Sequence, residues 1–176
     1  QCYGYGAKGG RLFVQGNAAG RPMINAVGSP KLVINGTALD YLAESFMAGD
    51  PLDGGGFVII NGMRFDERGE PEALETPYPG GNLFSLASGG AIYVRDPHER
   101  LSDSQLNGGA FTDMTEADWA VVEPMLRRNE EHFGIPLQRL LTVDGEVMSP
   151  SEVYRKIVPV KSKTLHAEAA WVGHHD

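Results

Sequence analysis

Four short segments share one pattern: GGRLFVQG (9–16), SPKLVING (29–36), GGFVIING (55–62) and GGAIYVRD (89–96). Aligned on Gly16, Gly36, Gly62 and Asp96, they place Val14, Ile34, Ile60 and Val94 two residues upstream, and Leu12, Leu32, Val58 and Ile92 four upstream. Gln15, Asn35, Asn61 and Arg95 stand between aliphatic position and anchor. Period-two alternation of this kind predicts strands with one buried face. The intervening column, Phe13, Val33, Ile59 and Tyr93, is large and apolar, so the second face needs a cover of its own.

The anchors are separated by 20, 26 and 34 residues. Antiparallel sandwich strands also alternate, but their hairpins recur every 8–12 residues or so. Repeats of roughly 20 residues with identical register suggest a solenoid. The expected fold is therefore mainly β: a right-handed parallel β-helix with a C-terminal helical appendage. Gly9, Gly10, Gly16, Gly36, Gly55, Gly56, Gly62, Gly89 and Gly90 would be the corners of its coils. Of 23 glycines, 20 precede residue 111, which sets the expected division at 1–110 for the β-helix and 111–176 for the helical segment and tail. Asn35 and Asn61, in one column, are expected to form an amide ladder. The acidic stretch 66–81, DERGEPEALETPYPGG, reads as a loop.

The second part carries helix signals. Thr115 with Asp118 three residues on forms a capping box, Trp119, Val122, Met125 or Leu126, and Phe133 mark an apolar face, and Gly134 is a stop. Pro124 predicts a kink or break near Val122. Ser149, Pro150 and Glu152 start another helix; AAWVGHHD (169–176) reads as a loose tail. The helical segment 115–133 is expected to lie as a lid over the C-terminal end of the coil stack. The first coil, with Leu12, Phe13 and Val14, is left as an open end and interface candidate.

Most catalytic motifs fail on context. Gly4-Tyr5-Gly6-Ala7-Lys8-Gly9 spells a dinucleotide loop, but a strand rather than a helix follows it. Cys2 is not at the first position, as a terminal-amine-activated nucleophile would be. Ser88 lies in LASGG, which lacks the first glycine of a nucleophile elbow. His98, His132, His166, His174 and His175 lack the spacing of a zinc helix, and Asp66, Glu67, Glu70, Glu72 and Glu75 lack that of a calcium loop. No catalytic, cofactor or metal residue is therefore assigned. A formal net charge of −8 argues against nucleic acid and anionic membranes. One cysteine and no long apolar run suggest a cytoplasmic protein. A first residue of Gln with no leader pattern suggests a processed chain or a piece of a longer one.

Taken together, YGYGAKGGRLFVQGNAAGR, GGAIYVRD and the acidic helical run MTEADWAVVEPMLRRNEEHFGIPLQRLL followed by EVYRKIVPVKS resemble the G-x-G-x-G domain of the glutamate synthase large subunit, in its free-standing form. The resemblance spans nearly the whole chain. The G-x-G-x-G subunit of formylmethanofuran dehydrogenase is a more distant likeness. The resemblance implies a non-catalytic scaffold, with FMN and an iron–sulfur cluster held by partner domains, and amidotransferase and FMN-binding subunits as partners. A homo-oligomer is an alternative assembly; a stand-alone β-helix subunit of another redox complex, like that of formylmethanofuran dehydrogenase, is an alternative function, followed by a hydrolase with an unrecognised site.

Overall fold

The computed structural model describes residues 10–17, 29–37, 49–79, 81 and 89–160. Its strands are β1 (Arg11–Val14), β2 (Lys31–Ile34), β3 (Phe57–Ile60), β4 (Met63–Phe65), β5 (Pro71–Ala73), β6 (Ala91–Arg95), β7 (Gly109–Thr112), β8 (Thr142–Val143), β9 (Glu146–Val147) and β10 (Tyr154–Pro159). The helices are α1 (Glu116–Phe133), α2 (Leu137–Leu141) and α3 (Pro150–Val153).

The register of the four repeats is as their spacing predicts. β1, β2, β3 and β6 run parallel, aligning Leu12 with Leu32, Val58 and Ile92, and Val14 with Ile34, Ile60 and Val94. The ladder continues past the strands: Gly36 N donates to Gly16 O at 3.0 Å and Gly62 N to Gly36 O at 2.9 Å. Gly10, Gly56 and Gly90 each precede a strand, and the Gly55 N–H donates to Asp50 O, closing the turn before β3. Gly89 lies in the bend before β6. Gly62 needs to be glycine: its φ is +61°, and a Cβ there would meet Pro77 Cα at 3.0 Å. Gly9, Cys2, Ser88, the 4–9 glycine motif, three of the histidines (His166, His174 and His175) and the tail lie outside the described residues.

The architecture differs from the expected right-handed parallel β-helix. The fold is mixed α/β, with one six-stranded sheet in the order β1-β2-β3-β6-β10-β7, and β10 antiparallel to both neighbours. The reason lies in the second apolar column. Val33, Ile59 and Tyr93 are buried under Val122, Met125 and Leu126 of α1, so each central strand is covered on both faces. A sheet apolar on both faces and layered with a helix is an α/β arrangement. On the other face, Leu32, Ile34, Val58, Ile60, Ile92 and Val94 pack with Tyr78, Leu101 and Leu106.

α1 therefore lies across a face of the sheet, and the edge beyond β6 is extended by β10. The helix has its capping box, Asp118 N donating to Thr115 Oγ1 and Thr115 N to Asp118 Oδ2, and it ends at Gly134 with φ +69°. It runs through Pro124 without a break. Pro124 and Ala120, whose carbonyl loses its helical donor, are both exposed, on the solvent side of the helix where that loss is tolerated. Part of the acidic stretch is ordered: β4 and β5 form a hairpin whose turn is tied by Asp66, accepting from the Arg68 and Glu70 N–H groups. Among the described residues no helix is long and apolar enough to cross a membrane.

Candidate functional site

One column of polar residues follows the aliphatic ones at the carboxyl ends of the parallel strands, on the face that α1 covers. Asn35 and Asn61 stand there fully buried. Asn61 Nδ2 donates to Asn35 Oδ1 at 2.8 Å, so the amide ladder is present. Asn129, from the apolar stripe of α1, exchanges two 2.7 Å bonds with Asn35, and the Tyr154 hydroxyl donates to Asn61 Oδ1 at 2.6 Å. Burial raises the pKa of Tyr154, although the positive charge of Arg95 acts the other way. Every amide in this chain of contacts has a partner, which is the condition for a buried polar network to be tolerated.

Arg95 occupies the next place in the column and is 6 % exposed. Its Nε donates to Leu140 O at 2.7 Å and its Nη2 to Thr142 O at 3.0 Å, at the end of α2. These carbonyls satisfy donors without cancelling the charge. Among the described residues Arg95 has no carboxylate ion pair. Burial lowers its pKa, nearby Tyr154 raises it, and the like charge of Arg139 lowers it again. The adjacent carboxylate, Asp96, is already occupied: it accepts from the Arg100 and Leu101 N–H groups and from Arg155 Nη1 at 3.0 Å.

Arg95 opens onto a cleft of about 330 Å³, lined also by Arg100, Arg139, His98, Gly62 and Asp144. Arg139 is anchored by Nη2 to Pro71 O at 3.0 Å. Among the described residues three carboxylates line the cleft too: Asp96 is buried and held by Arg155, Glu75 is exposed, and Asp144, 82 % exposed, lies 3.7 Å from His98. The volume suits a small ligand. The cleft lies past the carboxyl ends of β3 and β6, where open parallel sheets commonly take ligands.

The structure does not gather the sequence-predicted residues at this place. Of the glycine corners and interface candidates described, only Gly62 lines the cleft, where His98 and Glu75 also stand; Leu12, Phe13 and Val14 lie on β1, at the edge of the sheet, and Leu12 is 40 % exposed. Arg100 and Arg139 carried no sequence signal. Arg95 carried one, a cation in a column otherwise held by amides. Among the described residues no three His, Cys, Asp or Glu side chains gather as a metal site. No family model matches the chain, and neither curated proteins nor solved structures give a match.

Proposed function

We propose that this chain binds a small anionic metabolite, carrying a carboxylate or phosphate group, in the cleft at the carboxyl ends of β3 and β6. The observation that carries the reading is Arg95, a buried guanidinium without a carboxylate partner among the described residues, facing a cleft that Arg139 and Arg100 also line. Planar guanidinium donors fit the oxygens of carboxylate and phosphate in pairs, and a bound anion would relieve both the burial of one charge and the repulsion between two. Isothermal titration with inorganic phosphate and with succinate tests it. Arg139→Ala, at an exposed position, is expected to weaken binding by roughly tenfold while leaving the fold intact. Equal heats for the variant and the parent, or the same response to chloride, would overturn the reading.

A second reading, favoured by the in-register, glycine-bounded strands, is the non-catalytic scaffold role in a cytoplasmic glutamate synthase-type enzyme. The isolated chain is then expected neither to hydrolyse glutamine nor to retain FMN through gel filtration. Either activity at stoichiometric level removes it.

A further inference from the structure

Arg11 of β1 and Lys31 of β2 are register partners, so two basic side chains leave the sheet on the α1 face, from neighbouring strands whose backbones lie about 4.8 Å apart. Arg128 of α1 joins them in a groove of about 410 Å³ floored by Val121, Pro124 and Met125. Adjacent like charges on a sheet are destabilising. Lys31 gains some compensation from the Phe57 ring, 5.5 Å from its Nζ. None of the three cations has a carboxylate ion pair among the described residues, in a chain whose formal net charge is −8.

The groove runs beside the β1 edge of the sheet. Among the described residues β1 pairs only with β2. Gly10 O and Val14 O accept from Lys31 N and Asn35 N. Alternate residues of a parallel ladder face the same neighbour, so the N–H and C=O groups of Arg11 and Phe13 turn to the outer edge. On the opposite face of that edge, Leu12 is 40 % exposed.

We propose that the β1 edge and the Arg11–Lys31–Arg128 groove form one docking surface for an extended acidic segment of a partner protein, added to the sheet as a strand. Main-chain bonds to Arg11 and Phe13 hold it, carboxylate side chains on the α1 face meet the three cations, and apolar side chains on the other face cover Leu12. A second copy of this chain is disfavoured as the occupant, because isologous pairing of two β1 edges brings two cationic groups together.

The probe is a short fluorescein-labelled peptide of alternating valine and glutamate, with a valine–lysine peptide and a backbone N-methylated valine–glutamate peptide as controls. The glutamate peptide is expected to bind saturably and more weakly at high salt. Arg11→Glu and Arg128→Glu, both at exposed positions, are expected to lower its affinity at least roughly tenfold. Arg139→Ala should leave it unchanged, which separates this surface from the cleft at Arg95. Binding of the lysine peptide with equal affinity, or indifference to both charge reversals, overturns the proposal. Equal binding of the N-methylated peptide overturns strand addition. A stable dimer by light scattering that Leu12→Glu dissolves assigns the edge to a second copy and also overturns it.

Discussion

Asp118 has two tasks that pull on the same carboxylate. It closes the capping box of α1 with Thr115, and it joins that helix to the sheet. Its Oδ1 lies 2.6 Å from Lys156 Nζ of β10 and accepts from the Tyr93 hydroxyl of β6 at 2.7 Å, with the carboxylate 1 % exposed. Burial pushes the pKa of Asp118 up, but the bonds from Lys156, Thr115 and Tyr93 outweigh it and hold the carboxyl below its ordinary value. The Tyr93 hydroxyl responds in the opposite sense: burial, and then its bond to Asp118, raise its pKa. A carboxyl whose pKa is lower in the fold than in the unfolded chain stabilises the fold above its unfolded value, near about 4, and that contribution is lost as pH falls through the folded value. Asp118→Asn leaves Lys156 buried without its counter-charge and is expected to cost about 3 kcal/mol at neutral pH. In urea titrations at stepped pH, the gap between parent and variant should close on the acid side. A gap that stays constant down to the acid limit would show that the ionised carboxylate is not what the variant loses.

At the scale of elements, legibility followed how local each signal is. Each of β1, β2, β3 and β6 carries its own alternation and glycine punctuation, so their register could be derived from four aligned segments. The capping boxes at Thr115 and Ser149 are equally local and are present. β10 was not legible: Ser149, Pro150 and Glu152 start a helix, but α3 ends at Val153 and the strand begins at Tyr154. That strand exists because it fills a gap between β6 and β7, with Ile157 opposite Ile92 on one side and Phe111 on the other, and tertiary pairing of this kind leaves little mark in sequence. Asn129 illustrates the same limit. A lone amide in a helical stripe of Val122, Met125 and Leu126 gains meaning only beside Asn35. The second apolar column at Phe13, Val33, Ile59 and Tyr93 did announce a cover, and only the structure identifies that cover as α1. The cleft arginines come from the end of β6, from the turn after it and from α2, so no sequence spacing could bring them together.

For the molecule as a whole, the decisive connection is that residues beyond 111 close the sheet begun by residues 10–17. β10 lies between β6 and β7, Arg155 reaches back to Asp96 at 3.0 Å, and Lys156 ties β10 to Asp118 of α1. The two apolar layers meet through the same strands: Ile92 and Val94 point to one layer and Tyr93 to the other. Both layers rest on the same strands, so loosening those strands weakens both. The described residues are therefore expected to unfold as one cooperative unit, with no stable half on either side of residue 110. Trp119, half-buried against the Tyr154 ring with centroids 6.4 Å apart, reports on the helix layer, while far-UV circular dichroism reports on the whole backbone. In a Trp171→Phe background, which leaves Trp119 as the one indole of the chain, guanidinium titrations followed by the two signals should superimpose. Ile157→Ala, which removes a fully buried side chain from the strand joining the two parts, should move both curves together by roughly 2–5 kcal/mol. If the fluorescence transition came first and left most of the dichroism in place, the helical segment would be a separate folding unit docked on a sheet that stands without it.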